Sequence, residues 1–502
     1  SKSPRAHPPS PVRLVILVAG IGASIAAVLL GAWIGLHSRA SGTQRHGDAP
    51  SHSFGPHGDA AFESGGLESA LLEDAAEIGT PQERGYRTVV PSRRSRDLAA
   101  RIGPAAPPFA LGLKAIVDGQ FDTGRRDLAQ ASRQEPPFKW RADAALSVLE
   151  LFAGRYNDAA AAGIAAADAR PDDAGASLEA AVALLNAGRI ADASKRVDAS
   201  VKLQEKQGAV ATPLFAATLD VRAITLGARG RFPEAVADFQ RAIAVRTRAV
   251  GPDCAGNARS LNRLATLYDA QGRFAASEPL YERALAIVRR VYGKDSVEAA
   301  ACLNNQGGHY AMQREFDRAD SVFTQALNLQ TRLLGDQSLE TAETLNNLAG
   351  ICAERGRLKE AEELFARALQ VQVKSAGPNS LDVAQTMDNL ASIFTRQGRM
   401  AEAESFYKQE LDAREQALGP DHHDTAVTLN NLACLYTRLG RFNEAARLFK
   451  RAIDIHVHLG DSADPEAANA FDNYAVLLRK MGHAREARNL ELRAQMLRGA
   501  RK

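Results

Sequence analysis

The chain has 502 residues and a formal net charge of +3, with 62 Lys and Arg against 59 Asp and Glu. This near balance excludes a protein that binds nucleic acid through its overall charge, so no nucleic-acid partner is predicted. The four cysteines are far apart and include no C-x-x-C pair, so neither a zinc site nor redox chemistry is predicted.

The first predicted element is a membrane helix. Residues 1–13 are basic and contain no acid, and residues 14–36 contain no charged side chain. At ~1.5 Å per residue, the uncharged stretch is roughly 34 Å long, enough to cross a bilayer. We expect an uncleaved anchor, because a signal peptide has a shorter apolar core, and cleavage after Ser38-Arg39-Ala40 is the alternative. The positive-inside rule places residues 1–13 in the cytoplasm and the rest of the chain across the membrane, in the periplasm of a bacterium.

Small residues recur at every fourth position of this predicted helix. They are Ala19, Ala23, Ala27, Gly31 and Gly35. Such a ridge lets two membrane helices approach closely, which predicts membrane-helix packing and a homodimer. The general abundance of Ala and Gly in membrane helices is the alternative explanation.

Residues 37–97 form the next predicted element, a flexible linker. They are rich in Gly, Ser, His, Pro and charge and contain few large apolar residues, so they cannot bury enough surface to order themselves. Residues 98–218 then contain helix-ending glycines at positions 119, 154 and 188. Their spacing, roughly 34–35 residues, predicts degenerate helical hairpins.

A regular repeat with a period of about 42 residues fills residues 219–498, and 499–502 are a short tail. The leading apolar residues of the repeat are Leu219, Leu261, Leu303, Leu345, Met387, Leu429 and Phe471. A helix-ending glycine keeps the same spacing, except that Arg314 takes its place once. Two helical segments per period predict an all-α solenoid of about ten hairpins. A β-propeller is excluded because no Trp-Asp signature and no alternating strands occur.

One unit shows the pattern most clearly. In residues 428–453, TLNNLACLYTRLGRFNEAARLFKRAI, the residues Leu429, Leu432, Tyr436, Ala445 and Phe449 recur at helical spacing. The segment resembles the 42-residue tetratricopeptide repeats of kinesin light chains and their bacterial relatives. This resemblance implies helical hairpins whose first helices line a concave groove that holds extended peptides. It does not identify a partner.

The resemblance places the second Asn of the Leu-Asn-Asn motif on that groove. These residues are Asn305, Asn347, Asn389, Asn431 and Asn473. A side-chain amide both donates and accepts, so it can bind a peptide backbone of any sequence. Hydrogen bonding between neighbouring helices is an equally open explanation.

A row of basic residues lies seven positions further along the C-terminal repeats. It consists of Arg396, Arg438 and Lys480. Such a row predicts a guest with acidic side chains or a terminal carboxylate. The alternative is a solvated helix end, where the helix dipole favours positive charge.

No enzyme motif is present. The sequence contains no phosphate-binding loop, no G-x-S-x-G and no H-E-x-x-H, so we predict no catalytic residue, no cofactor and no metal. We expect a membrane-anchored adaptor that binds protein or peptide partners. The alternative is a structural subunit of an envelope or secretion assembly that acts through its outer faces and its membrane helix.

Overall fold

The computed structural model describes residues 108–117, 120–134, 139–152, 155–459 and 465–499. The predicted anchor and linker, with the ridge from Ala19 to Gly35, lie outside these residues and stay predictions. Within the described residues, no helix combines the length and the apolar character needed to cross a bilayer.

Every regular element in the described residues is an α-helix, and there are twenty of them. Residues 108–315 and 328–333 form an N-terminal unit, and residues 316–327 and 334–499 form a C-terminal unit. The helices of the first unit are α1 (Pro108–Val117), α2 (Phe121–Gln134), α3 (Lys139–Phe152), α4 (Tyr156–Ala169), α5 (Ala174–Asn186), α6 (Ile190–Lys206), α7 (Pro213–Ala228), α8 (Phe232–Val250), α9 (Ala255–Ala270), α10 (Phe274–Val291) and α11 (Val297–Met312). They are followed by α12 (Phe316–Leu334), α13 (Leu339–Glu354), α14 (Leu358–Ala376), α15 (Leu381–Gln397), α16 (Met400–Leu418), α17 (His423–Arg438), α18 (Phe442–His458), α19 (Pro465–Lys480) and α20 (Ala484–Gly499).

Consecutive helices pack as hairpins, which confirms the predicted repeat architecture. Nine pairs do so, from α1 with α2 to α19 with α20, while α11 and α12 are assigned largely to different units. The second helix of a hairpin also contacts the first helix of the next one, as α16 contacts α17. Each hairpin therefore buries its apolar faces against its neighbours along the chain.

The residues of the sequence pattern build this packing. Leu429 and Leu432 of α17 and Phe449 of α18 are buried, and the ring of Phe449 stacks on Tyr474 of α19 with the centroids 5.6 Å apart. Burying one such large apolar side chain stabilises the fold by about 1.5–3 kcal/mol. The same apolar slots thus close a hairpin and join it to the next.

The turns inside the hairpins follow the predicted glycines. Gly440, which ends α17, has a φ of 75°, and Arg314 adopts the same left-handed conformation with a φ of 63°. Ser338 and Ser380 cap their helices through the side-chain oxygen. Because α17 begins at His423, the cap is His422, whose Nδ1 accepts a hydrogen bond from the backbone of Asp424.

The last hairpin has a polar face where an interior hairpin has an apolar one. Phe449 and Ile453 of α18 are buried, whereas the residues in the same slots of the next repeat, Glu491 and Gln495 of α20, are not. These two polar slots need no further hairpin to cover them.

Candidate functional site

The predicted site residues lie on the first helices of the hairpins. In the C-terminal unit, α13 contacts α15 and α17 contacts α19. We define the first-helix surface of this unit as the exposed and half-buried side chains of α13, α15, α17 and α19. It contains four of the five predicted asparagines and the whole predicted basic row.

The asparagines of the predicted ladder have different surroundings. Asn431 donates to Asp388 Oδ1 over 3.0 Å, and Asn473 donates to Asn430 Oδ1 over 3.1 Å. Each of these bonds joins a first helix to the first helix before it, so these two amides have a structural role. Asn389 is half-buried and makes no hydrogen bond to another side chain among the described residues, and Asn305 of the N-terminal unit is exposed.

The basic row is divided in the same way. Arg396 donates to the carbonyl oxygen of Ala353 over 2.8 Å, so its guanidinium is joined to the end of α13 in the preceding hairpin. Arg438 and Lys480 are exposed, and neither is in an ion pair with another described residue. These two cations are therefore available to a guest.

A polar contact that the sequence analysis missed recurs at the junctions between repeats. Asn346 of α13 donates to Thr386 Oγ1 of α15 over 2.8 Å, and Thr386 donates to Gln372 Oε1 of α14 over 2.7 Å. We call this set of three an inter-repeat clip. Gln204 and Thr218 occupy the same slots four repeats earlier and are 2.7 Å apart. The signal in the sequence was a Thr or Ser one residue before the leading apolar residue.

A second missed feature is the arginine that follows most of the helix-ending glycines. Arg441 bonds to Glu404 of the preceding hairpin and to Glu444 of its own second helix, and its guanidinium stacks 3.9 Å from the ring centroid of Tyr436. Arg399 makes the equivalent contacts with Glu362 and Glu402. We call these residues the arginine ladder. The repeated Gly-Arg dipeptide was visible in the sequence, but half of its partners lie in the preceding hairpin.

The arginine ladder fixes the charge of its acidic partners. Burial opposes the ionised form of Glu404, but hydrogen bonds from Lys408, Arg441 and Tyr436 hold the pKa of Glu404 at about 2. This carboxylate stays ionised across the physiological range. The arginine ladder therefore connects hairpins and leaves no free charge for a ligand at these positions.

A family model described as tetratricopeptide repeat matches residues 214–290, 270–332, 298–374, 340–416 and 382–456. These segments are tetratricopeptide repeats. The pattern defined by Leu429, Tyr436 and Phe449 is thus the family's own. No curated protein matches the sequence.

Solved structures of other repeat proteins are similar to parts of this chain. BtubC (BKLC) from P. vanneervenii has 21% identity over 46% of this chain and 90% of that one, with a TM-score of 0.40. A Podosopora anserina protein with nearly identical TPR-like repeats has 18% identity over 40% and 95%, with a TM-score of 0.36. A Rap protein complexed with Competence and Sporulation Factor has 14% identity over 72% and 98%, with a TM-score of 0.47. At these identities and TM-scores, the binding partners of those proteins are not assigned to this chain.

One junction between tetratricopeptide repeats has hydrogen-bonded side chains in slots that are apolar two repeats later. Asp269 of α9 accepts hydrogen bonds from Ser277 and, over 3.0 Å, from Tyr281, both on α10. His309 Nδ1 of α11 lies 2.9 Å from Asp269 Oδ1. Ser277 and Tyr281 occupy the Ala and Phe slots of the tetratricopeptide pattern. We call these four residues the polar core.

The polar core contains Ser, His and Asp but lacks the geometry of a catalytic triad. A triad needs its hydroxyl on one ring nitrogen and its carboxylate on the other. Here Ser277 Oγ, at 3.2 Å, and Asp269 both face Nδ1, while Nε2 faces the Gln313 amide at 2.8 Å. The three side chains are at most 2% exposed, so no substrate reaches them. Among the described residues, no group of three or more His, Cys, Asp or Glu is placed to hold a metal ion.

Proposed function

We propose that the chain is a membrane-anchored scaffold that binds extended segments of protein partners on its first-helix surface. Residues 14–36 supply the anchor, and the repeat array presents the binding surface on the other side of the membrane. Tetratricopeptide repeats expose one helix face per hairpin over several hairpins, which suits a long, extended guest. Affinity then comes from many weak contacts rather than from one pocket.

The observation that supports this proposal is a set of polar side chains on the first-helix surface that make no hydrogen bond or ion pair within the described residues. Within the described residues, the side chains of Asn389, Arg438 and Lys480 make no hydrogen bond or ion pair, whereas Asn431, Asn473 and Arg396 do. A donor such as an amide or a guanidinium is free to bind a guest backbone or carboxylate. We therefore assign guest binding to these three residues first.

A site-specific photo-crosslinking experiment in the native cell tests this assignment. A photoreactive amino acid is placed at position 389 or 438 of the full chain, and at Lys450, which is exposed on the second helix α18. The expected result is adducts from positions 389 and 438. The adducts from position 389 should be lost when Arg438 and Lys480 are changed to Glu. Adducts only from position 450 would contradict the proposal and favour the structural-subunit function, in which the outer faces make the contacts.

The anchor needs its own test. If residues 14–36 span the bilayer, the full chain stays in the membrane fraction after washing with alkaline carbonate, and a chain lacking these residues does not. Release of the full chain by carbonate would remove the anchor from the proposal, while the crosslinking result would still stand.

A further inference from the structure

The last described helix, α20, exposes two large apolar side chains next to each other. Leu492 and Met496 are four residues apart, so they lie on the same side of the helix. Leu492 is 52% exposed, and Met496, at 73%, is the most exposed large apolar side chain among the described residues. We call the side of the helix that bears these two residues the α20 face.

The repeat pattern shows that a neighbouring hairpin does not cover this face. Leu492 and Met496 occupy the slots of Lys450 and Asp454, which lie one period earlier on α18. Lys450 and Asp454 are exposed even though α19 packs against α18. These slots therefore face solvent in an interior hairpin, where polar side chains suit them. In α20 the same slots are apolar, which favours a partner from outside the repeat array.

Arginines flank the two apolar side chains. At about 3.6 residues per turn, Arg488 and Arg493 lie on opposite edges of the α20 face, and Arg485 lies nearly in line with Leu492. All three arginines are exposed, and none of their side chains forms an ion pair or a hydrogen bond with another described residue. The α20 face thus has an apolar centre within a group of three cations.

The acids of α20 do not neutralise these arginines. Glu486 Oε1 lies 2.9 Å from His483 Nδ1, and Glu491 pairs with Arg479 of α19 over 2.7 Å. Both carboxylates therefore already have partners away from the α20 face. A positively charged helix face with an apolar centre is complementary to a surface that is negatively charged outside and apolar beneath.

A lipid surface fits the α20 face better than a protein does. The helix has 16 residues, so it is about 24 Å long and about 10 Å wide. Its face presents roughly 240 Å², whereas a stable protein interface needs about 800 Å² on each partner. A lipid surface has no such requirement, because arginines reach the headgroups while the apolar side chains enter the boundary below them.

We propose that the α20 face docks on an anionic lipid surface, with Leu492 and Met496 between the headgroups and Arg485, Arg488 and Arg493 on the phosphates. This inference goes beyond the proposed function, because the guest binds the first-helix surface. It does not require the predicted anchor. It adds a membrane contact that is far from that anchor along the chain.

Photo-crosslinking of the full chain to lipid tests this docking. A photoreactive amino acid replaces Asn489, which is exposed on the α20 face, or Arg447, which is exposed in the same slot of α18. Each chain is reconstituted with vesicles of phosphatidylcholine, alone or mixed equally with phosphatidylglycerol, and lipid adducts are measured by mass spectrometry. In the mixed vesicles, position 489 should give at least about fivefold more adduct than position 447, since each arginine near an anionic surface contributes about that factor.

Two sets of substitutions separate the contribution of charge from that of apolar contact. Arg485→Gln, Arg488→Gln and Arg493→Gln together should lower the adduct yield at position 489 in the mixed vesicles by at least about fivefold. Leu492→Ser with Met496→Ser should also lower this yield, because the apolar area that enters the lipid is lost.

A matched control removes the same charge from other second helices. It combines Arg248→Gln, Arg289→Gln and Arg367→Gln, which change exposed arginines of α8, α10 and α14. This variant should give the same adduct yield at position 489 as wild type. Circular dichroism should show all variants to be helical, because every changed side chain is exposed.

Equal lipid adducts at positions 489 and 447, or an undiminished yield in both sets of variants, would overturn the inference. Adducts from position 489 to a second copy of the chain, or only to a protein in the native cell, would also overturn it, because the α20 face would then be a protein interface. None of these results affects the proposed function, which is tested by the guest adducts at position 389 and by the carbonate wash.

Discussion

The polar core of the N-terminal unit joins its helices by hydrogen bonds between buried polar side chains. The matching slots of the C-terminal unit join the equivalent helices by apolar contacts. Asp269, Ser277, Tyr281 and His309 form hydrogen bonds in one unit, and two repeats later the same slots are apolar and belong to one buried cluster. These later residues are Ala353, Ala361, Phe365 and Ile393. The tetratricopeptide hairpin thus accepts either kind of interior.

The difference lies in how each interior responds to change. Apolar contacts are non-directional, so the loss of one methyl group costs only its own burial and cavity. In the polar core, Asp269 depends on three donors from two other helices, so the loss of one donor leaves a buried carboxylate under-satisfied. The apolar interior therefore tolerates the loss of one contact. In the polar core, the loss of one residue weakens the hydrogen bonding of the whole set.

The largest expected effect comes from breaking the polar core at one residue. His309→Leu removes a partner of the buried Asp269 carboxylate and should destabilise the N-terminal unit by about 3–5 kcal/mol. Ile393→Val, in the matching apolar slot, should cost about 0.5–1.5 kcal/mol. Urea denaturation with hydrogen exchange over α9–α11 and α13–α15 measures both. Equal losses at the two sites would contradict the comparison.

A pH-dependent prediction extends the comparison to another slot. Glu179 of α5 occupies the slot that holds the half-buried Asn389 in the C-terminal unit. Burial, followed by the charge of Asp173, raises the pKa of Glu179 to about 8. Because the folded-state pKa lies above the ordinary value of 4.5, the unfolded chain loses this proton first as the pH rises. The contribution of the Glu179 carboxyl to the free energy of unfolding is complete below about pH 4.5. It is lost as the pH approaches 8.

Glu179→Gln should remove this pH dependence, because an amide mimics the protonated carboxyl. At pH 9 the variant should be more stable than wild type by several kcal/mol, at about 1.4 kcal/mol per unit of pKa shift, with little difference at pH 5. Thermal unfolding at both values measures the effect. A constant difference between the two pH values would show that Glu179 does not titrate as described.

Replacing the whole polar core should have a smaller effect than breaking it. The quadruple change Asp269→Ala, Ser277→Ala, Tyr281→Phe and His309→Ile introduces the residues of the matching apolar slots. No buried polar group then remains unsatisfied, so we expect the variant to be as stable as wild type or more stable by about 2 kcal/mol. A loss larger than that of His309→Leu alone would show that the polar core stabilises this repeat.

The smallest expected effect concerns the turn after α11. Arg314 adopts a left-handed conformation that costs a side-chain-bearing residue about 1 kcal/mol more than glycine. Arg314→Gly should therefore stabilise the fold by about 1 kcal/mol, and Gly356→Ala in the C-terminal unit should destabilise it by a similar amount. Denaturation midpoints measure both. A change of the same sign in the two variants would contradict the argument.

The sequence by itself determined the elements of the fold. The regular spacing of Leu345, Met387 and Leu429 marks one helical hairpin per period, because each apolar stripe must be buried by a neighbour. Gly440 marks a turn, because a left-handed backbone strongly favours glycine. The resemblance also placed the candidate residues on the first helices. These inferences succeed because periodicity and turn chemistry are local properties.

Only the tertiary structure decided which of those residues are available. Nothing in the sequence distinguishes Asn431, which bonds to Asp388 of the preceding repeat, from Asn389, which does not bond in this way. In the same way, only the packing shows that Arg414 pairs with Glu410 while Arg246 pairs with Asp220. These choices depend on distances of about 3 Å between residues that are far apart along the chain. A repeated pattern places such residues in equivalent slots of successive repeats. The hydrogen bonds across each junction then determine whether the residue in a given slot is already bonded or is available to a partner.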